Sequence, residues 1–337
     1  KILIFLNDNS LEDKKIIEAA RYCKNDLCSE IVFEFPELQG IMGGKYLKNE
    51  GFSEDICLAV AEHYLPAFYK DALPSTRYGA IVSMADKIET LISIFISGKR
   101  PSGSSDPYAL RRNLNGVIKI IWDYEFDLPL DNLFNELIEF WKIAFPNLNF
   151  SKEKVSKDLN EFLVQRIESH LEEISLGKEL IKAVCSCDQF SQKRILNIVD
   201  LKNRIKSIVH FREKETFVEI QKVITRVSKL ANSSTLSTEV LSTKDYINTK
   251  LFEKDCELNV FEFIRELEKL FSTDCCNYLE LLNLFEIHIN TIEDLFDSDK
   301  GVLVMTEDLK IRNNRLNLLG LIRNYSLKIA DFTLLNS

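Results

Sequence analysis

Glycine and proline are scarce in this sequence. Only 11 of its 337 residues are glycine and 7 are proline. Sheets joined by many tight turns need more of both, because these residues supply the backbone angles that turns require. Apolar residues recur instead at helical spacing, as in Met84, Ile88 and Leu91. The sequence therefore predicts a mainly α protein.

Long apolar runs are also missing. No stretch approaches the roughly 20 apolar residues needed to cross a bilayer, and the short apolar start at residues 2–6 is followed at once by polar residues. The chain begins with Lys1 rather than Met, so we expect it to start inside a longer protein rather than with a signal peptide. These features predict a cytoplasmic protein without a membrane partner.

The eight cysteines form no CxxC pair. Cys185 and Cys187 are one residue apart, and Cys275 and Cys276 are adjacent. Neither spacing suits a structural zinc site without further well-placed ligands. We interpret the cysteines as buried thiols in a reducing compartment.

Positive charge is limited overall but is concentrated locally. The net charge is −9, which argues against nucleic-acid binding over the whole surface but not against a local basic face. Residues 191–230 contain ten Lys or Arg and four Asp or Glu, and residues 309–337 contain five and one. A solvated helix face explains either segment taken alone, whereas the two together favour a basic face set against an acidic remainder.

Nucleotide-binding and hydrolase motifs are missing as well. The patterns GxGxxG, GxxxxGK[ST], GxSxG and HExxH do not occur. Gly40, Gly43 and Gly44 could bind an anion through backbone N–H groups, but we favour a turn between helices. Periodicity predicts helices over residues 11–35, 54–70, 77–97, 108–122, between Pro129 and Pro146, over most of 151–230, and over 248–288 and 308–335, with a polar linker at 231–238.

Three groups of motifs carry a family resemblance. The first is EFPELQGIMG at 34–43 with EHYLP at 62–66, DALP at 71–74 and ADKIETL at 85–91. The second is PSGSSDPYALRR at 101–112, and the third is LFD at 295–297, VLVM at 302–305, RNNRLNLL at 312–319 and ADFTLL at 330–335. In order and spacing they resemble the C-terminal half of the β subunit of bacterial-type heterotetrameric glycyl-tRNA synthetase.

The resemblance implies an organisation and a set of partners. It implies an HD-like helical domain at 1–126, a helical connecting region at 127–236 and an anticodon-binding helix bundle of the DALR type at 237–337. Glycine activation belongs to the α subunit of that family, so we expect no catalytic residue and no cofactor here, with ATP and Mg used by the assembled enzyme. The implied partners are tRNA(Gly), the α subunit and a second β subunit in an α2β2 assembly.

The HD-like region lacks the residues of a working phosphohydrolase. Such a site needs a His, a His-Asp doublet and a further Asp to hold a metal that activates water. Here His63 is followed by Tyr64, and Asp86 is the one candidate for the final Asp. Two ligands are too few for a catalytic metal. We interpret His63 and Asp86 as a degenerate, metal-free site with structural roles, with contact to tRNA or another domain as the alternative.

The candidate tRNA-binding residues fall into two sets. Arg312, Asn313, Asn314 and Arg315 combine amides and guanidiniums at a helix start and could read anticodon bases; Arg315 could instead bridge to Asp297 or Asp331 inside the domain. The second set consists of candidate contacts to the RNA backbone: Lys99, Arg100, Arg111, Arg112 and Arg226.

The turn before Arg111 is also expected to cap a helix. Asp106 is expected to be the N-cap of the next helix, with Pro107 at its first position.

Beyond a synthetase subunit, a stand-alone tRNA-binding or scaffold module and an HD-type phosphohydrolase are the alternatives. The missing His-Asp doublet disfavours the phosphohydrolase.

Overall fold

A computed structural model of the chain describes residues 1–6, 13–68, 70–101, 105–185, 197–272 and 277–335. Helices are the regular structure throughout these residues, and no β-strand occurs among them, which confirms the prediction of a mainly α protein. No helix in the described ranges is both long and apolar enough to cross a membrane.

Contacts within the chain define two compact units. Unit 1 comprises residues 1–175 and 193–199, and unit 2 comprises residues 176–192 and 200–337. Unit 2 thus holds residues on both sides of position 236, where the sequence analysis places a domain boundary. The division into HD-like, connecting and anticodon-binding domains stays a prediction.

The helices of unit 1 pack around one long central helix, α6. Its neighbours include α2, α5, α7, α8 and α9, and it buries Met84, Ile88, Leu91 and Phe95. The helices are α1 (Ile2–Leu6), α2 (Asp13–Tyr22), α3 (Glu30–Glu34), α4 (Ile41–Asn49), α5 (Glu54–Glu62), α6 (Arg77–Ile96), α7 (Leu110–Tyr124), α8 (Leu130–Ala144) and α9 (Lys152–Glu173).

The helices of unit 2 are α10 (Lys178–Cys185), α11 (Ile198–Arg212), α12 (Phe217–Ala231), α13 (Asp255–Phe271), α14 (Tyr278–Ile287), α15 (Ile289–Asp294) and α16 (Leu309–Ser326); the first two residues of α11 fall in unit 1. The core forms where α16 packs against α12 and α13. Leu318, Leu319, Leu321 and Ile322 of α16 are fully buried there.

The single helix predicted over residues 11–35 is wrong. The chain leaves α2 after Tyr22, forms a short 3-10 turn at Asn25–Cys28 and starts again at α3. The break allows buried Asp26 to turn towards α4, where its Oδ2 accepts the backbone N–H groups of Gly40 at 2.7 Å and Gly43 at 3.1 Å. The backbone donors considered for an outside anion are therefore bound by the protein's own carboxylate.

Gly44 lies where α4 and α5 touch rather than in a loop. A Cβ at this position would lie 2.6 Å from the Cys57 carbonyl oxygen and 2.8 Å from the Ala61 Cβ. We expect Gly44→Ala to lower the free energy of unfolding by about 1–3 kcal/mol through overpacking. Lys45→Ala, at the next and exposed position, is the control, and urea unfolding is the measurement. Equal stability of both variants would contradict this packing.

The polar segment after α12 is not a free linker. Arg323 of α16 donates to the carbonyls of Ala231 and Leu236, both at 3.1 Å. Asn324 donates to those of Ser237 at 2.8 Å and Val240 at 2.7 Å. Because carbonyls in irregular segments lack helix partners, these side chains satisfy them and fasten the segment to the core.

The cysteines follow the expectation only in part. Cys23, Cys57 and Cys256 are buried, whereas Cys28 is exposed and Cys185 is half-buried. Cys187, Cys275 and Cys276 lie outside the described residues. Among the described residues, no group of three or more His, Cys, Asp or Glu side chains is placed to hold a metal ion.

Candidate nucleic-acid interface

His63 ends α5 and is completely buried. Its Nδ1 lies 2.7 Å from the Val60 carbonyl oxygen, and Nε2 has no hydrogen-bond partner among the described residues. Burial lowers the pKa of His63 to about 4, so the ring is neutral at physiological pH. The side chain is a packed group of the core, surrounded by protein.

Asp86, on α6, pairs with a cation supplied by the protein itself. Its Oδ2 accepts from the Lys24 ammonium at 2.9 Å, and the same ammonium lies 3.9 Å from the centre of the Tyr64 ring. A lysine thus provides the positive charge that a metal ion would bring to this carboxylate. That the region holds no metal stays a prediction.

Two of the cations predicted to contact RNA, Lys99 and Arg100, have different surroundings in the structure. Arg100 is bound within unit 1, where it donates to Asp158 at 2.7 Å and to the Phe95 carbonyl at 2.7 Å. Lys99 is exposed and contacts Tyr108. Ser102 and Ser104 of the PSGSSDPYALRR motif lie outside the described residues.

Asp106 caps α7 from a different position than predicted. Its carboxylate accepts the N–H groups of Leu110 at 2.8 Å and Arg111 at 3.0 Å. The N-cap position itself is Ala109, whose φ is 55°, because residues 106–109 form a turn closed by the Ala109 N–H on the Asp106 carbonyl. Pro107 therefore lies in this turn, outside the helix. The Arg111 guanidinium donates to the Ser105 carbonyl at 3.4 Å.

Arg315 is a structural residue of unit 2. It is 2 % exposed, and its guanidinium donates to Glu257 at 2.8 Å, to Glu253 at 2.6 Å and to the Leu303 carbonyl at 3.1 Å. Burial by itself lowers the pKa of Arg315, but the hydrogen bonds to Glu257 and Glu253 outweigh it and raise that pKa. The bridge to Asp297 or Asp331 considered from the sequence is wrong, since the partners are two glutamates before and within α13.

The Asn314 side chain is also used in hydrogen bonds within the protein. Its amide exchanges two hydrogen bonds with the backbone of Asn248, at 2.7 Å and 3.1 Å, and it is 5 % exposed. Arg312 is half-buried and Asn313 is exposed, and neither side chain makes a hydrogen bond with the described part of the chain. Of the four predicted anticodon contacts, these two remain available to a base.

A basic groove lies along α12. Lys222, Arg226 and Lys229 are exposed on one face of the helix and line a cavity of about 380 Å³ together with Gln221, Thr225, Thr333 and Leu335. Among the described residues, no acidic side chain lines it, and the Arg226 guanidinium lies 4.3 Å from the Phe296 ring centre. Three cations beside hydroxyl groups suit the phosphates of a nucleic-acid backbone.

Other described cations of the basic segment are used within the fold. Arg204 is 1 % exposed and pairs with Asp200 at 3.0 Å, while Lys214 pairs with Glu286 at 2.7 Å. Of the three groove cations, only Arg226 was among the RNA contacts predicted from the sequence. The signal for the other two was their spacing, because positions 222, 226 and 229 share one helix face opposite the apolar residues.

Comparison with known proteins gives a consistent picture. The model of the family described as "Glycyl-tRNA synthetase beta subunit" matches residues 1–186. The chain is 36 % identical to the glycine–tRNA ligase beta subunit of Trichodesmium erythraeum, over 95 % of this chain and 45 % of the relative. The corresponding protein of Gloeothece citriformis is 35 % identical, over 97 % and 46 %.

A relative with lower sequence identity is matched over a similar share of both chains. The glycine–tRNA ligase beta subunit of Persephonella marina is 32 % identical, over 97 % of this chain and 45 % of the relative. The chain thus spans less than half the length of these curated relatives. Because the family's model covers more than half of the chain and the similarity extends into unit 2, this chain belongs to the glycyl-tRNA synthetase beta subunit family.

Proposed function

We propose that this chain is the tRNA-binding portion of the β subunit of a glycine–tRNA ligase, supporting ATP-dependent attachment of glycine to tRNA(Gly). The names of its relatives support the reaction and the RNA substrate. In this proposal the chain itself carries no cofactor, and ATP with Mg is used by the assembled enzyme. Its partners are tRNA(Gly), the α subunit and a second β subunit.

The basic groove on α12 is the observation that carries the RNA-binding part of the proposal. The chain has a net charge of −9, so a nucleic acid is repelled by most of its surface and needs a local exception. The groove supplies three exposed cations, and no acidic side chain in the described part of the chain lines it. Phe296 holds the Arg226 guanidinium by a cation–π contact, which reduces the entropy lost when it binds a phosphate.

Removing the groove's charge is the test. In enzyme assembled from full-length α and β subunits, we expect the triple change Lys222→Gln, Arg226→Gln and Lys229→Gln to lower kcat/KM for glycylation of tRNA(Gly) by roughly tenfold or more. The physical reason is the loss of several phosphate contacts. Glycine-dependent ATP–pyrophosphate exchange without tRNA should be unchanged, because it does not require RNA contacts.

A matched triple change removes the same charge elsewhere in unit 2. Lys244, Lys250 and Lys269 are exposed there and do not line the groove. Their replacement by Gln should lower kcat/KM much less than the groove triple. Equal losses for the two triples would show that net charge alone matters, and the groove assignment would then be wrong.

Arg312 and Asn313 are the proposed anticodon contacts that the packing leaves available. An Asn that reads a base edge contributes about 1–3 kcal/mol of discrimination. We expect Asn313→Ala to reduce the preference for tRNA(Gly) over an anticodon-swapped tRNA, whereas Arg312→Ala should weaken both alike. Binding of the two tRNAs to the full enzyme measures this. Unchanged discrimination with Asn313→Ala would rule out this role.

A further inference from the structure

A polar cavity of unit 1 carries an excess of positive charge. It has a volume of about 350 Å³ and lies between α6 and the start of α7. Among the described residues, three cations line it, Lys24, Lys87 and Arg112, against one carboxylate, that of Asp86. Tyr64, Ala67, Thr90, Ala109 and Asn113 complete the lining. The local charge is therefore positive in a chain that is strongly acidic overall.

Lys87 is a buried cation behind this cavity. Its ammonium donates to the carbonyls of Tyr64 at 3.1 Å and Leu65 at 3.2 Å and to the Ser83 hydroxyl at 2.8 Å. It is 4 % exposed, and burial lowers its pKa to about 8. Its partners are dipoles rather than a bonded carboxylate, so an anion in the cavity would stabilise the charge.

The α7 side of the cavity is shaped to admit Lys87. A Cβ at Gly116 would lie 2.9 Å from the Lys87 Cε, so glycine at this position leaves room for the buried stem. Arg112, one turn earlier on α7, is exposed at the cavity and makes no ion pair with the described residues. Its guanidinium lies 5.3 Å from the centre of the Phe68 ring.

We propose that this cavity binds a phosphate group, with Lys24, Arg112 and Asn113 as donors and Lys87 as the buried counter-charge. A phosphate dianion matches the excess of two positive charges, and a guanidinium beside an ammonium suits its tetrahedral oxygens. A divalent cation would instead be repelled by three cationic neighbours. The site lies in unit 1, and its test does not depend on the α12 groove or on the proposed RNA function.

The test is titration calorimetry on the full 337-residue chain with inorganic pyrophosphate, adenosine monophosphate and, separately, Mn²⁺. Arg112→Gln should weaken binding of the phosphate compounds by about tenfold. Asp86→Asn should strengthen it by roughly threefold to tenfold, because a like charge is removed and Lys24 is released. Misfolding cannot produce tighter binding, so a gain in affinity with Asp86→Asn cannot be explained by an unstable protein.

Lys154→Gln, an exposed change on α9, is the charge-matched control and should bind like the wild type. Absence of saturable phosphate binding at millimolar concentrations overturns the proposal. A phosphate affinity that is unchanged by both Arg112→Gln and Asp86→Asn also overturns it. Mn²⁺ binding that Asp86→Asn abolishes would overturn it as well.

The source of the phosphate is separated by competition with short RNAs of one sequence, measured against pyrophosphate. Competition only by the 5′-phosphorylated RNA supports the site and assigns it a terminal phosphate. Equal competition with and without that phosphate supports it with a backbone phosphate as the ligand. Lack of competition by either RNA, with pyrophosphate still bound, supports it with a free small molecule as the ligand.

Discussion

Arg315→Met is expected to lower the free energy of unfolding of unit 2 by about 3–5 kcal/mol, because it leaves a buried carboxylate without its counter-charge. Glu257 is fully buried, and its Oε2 also accepts the backbone N–H groups of Glu253 and Lys254 at the start of α13. The methionine side chain fills a similar volume, so the loss reports the broken pair rather than a cavity. Urea unfolding measures it.

Arg312→Met is the matched control, one turn earlier on α16 and only half-buried. Its effect should stay within about 0.5 kcal/mol, as for ordinary surface changes. Adding Glu257→Gln to Arg315→Met should recover part of the loss, because the neutral amide no longer needs the guanidinium. A cost below about 1 kcal/mol for Arg315→Met would contradict the structural role of this residue.

Acid is expected to destabilise unit 1 as the pH falls from 6.5 to about 4. Burial lowers the pKa of His63 and of His170 from 6.5 to about 4 in the folded chain. The unfolded chain therefore binds more protons within this window, and the free energy of unfolding falls with pH. Each buried histidine contributes about 3 kcal/mol to the loss. Below pH 4 both states are protonated and this contribution stops changing.

Burial is the main cause of both lowered pKa values, and the charged neighbours act on them as well. Lys24 and Lys87 lower the pKa of His63 and Asp86 raises it, while Lys119 lowers that of His170. Urea unfolding between pH 4 and pH 7 checks the prediction. His63→Gln and His170→Gln should each flatten the dependence, whereas His210→Gln, an exposed change in unit 2, should not. A stability of unit 1 that is constant over this range would contradict the burial of both rings.

Prolines and capping residues at the helix ends explain which helices could be predicted. α6 spans Arg77–Ile96 against a predicted 77–97, and α8 spans Leu130–Ala144 between the two prolines that predict its ends. Thr76 caps α6 by accepting the Gly79 N–H. The pattern over residues 11–35 failed because Asp26 gains bonds to Gly40 and Gly43, residues distant in sequence. Periodicity within one helix contains no signal for such bonds.

The candidate site shows the same limit. Arg315 and Asn314 have the residue types of RNA contacts, but their partners lie 58 and 66 positions away along the chain, and sequence analysis could not locate them. The charge of residues 191–230 could be counted in advance. Which cations remain exposed after Arg204 and Lys214 have paired depends on packing. Only the helical spacing of Lys222, Arg226 and Lys229 was present in the sequence.

The salt dependence of tRNA(Gly) binding to the full enzyme tests the RNA-binding claim most directly. Each phosphate contact contributes roughly 0.7 to the slope of log affinity against log salt concentration for a single strand, and roughly 0.9 for a DNA double helix. We expect replacement of Lys222, Arg226 and Lys229 with Gln to reduce this slope by about 2–3, whereas the Lys244, Lys250 and Lys269 triple should leave it unchanged. A wild-type slope in the groove triple would rule out the groove as an RNA-binding surface.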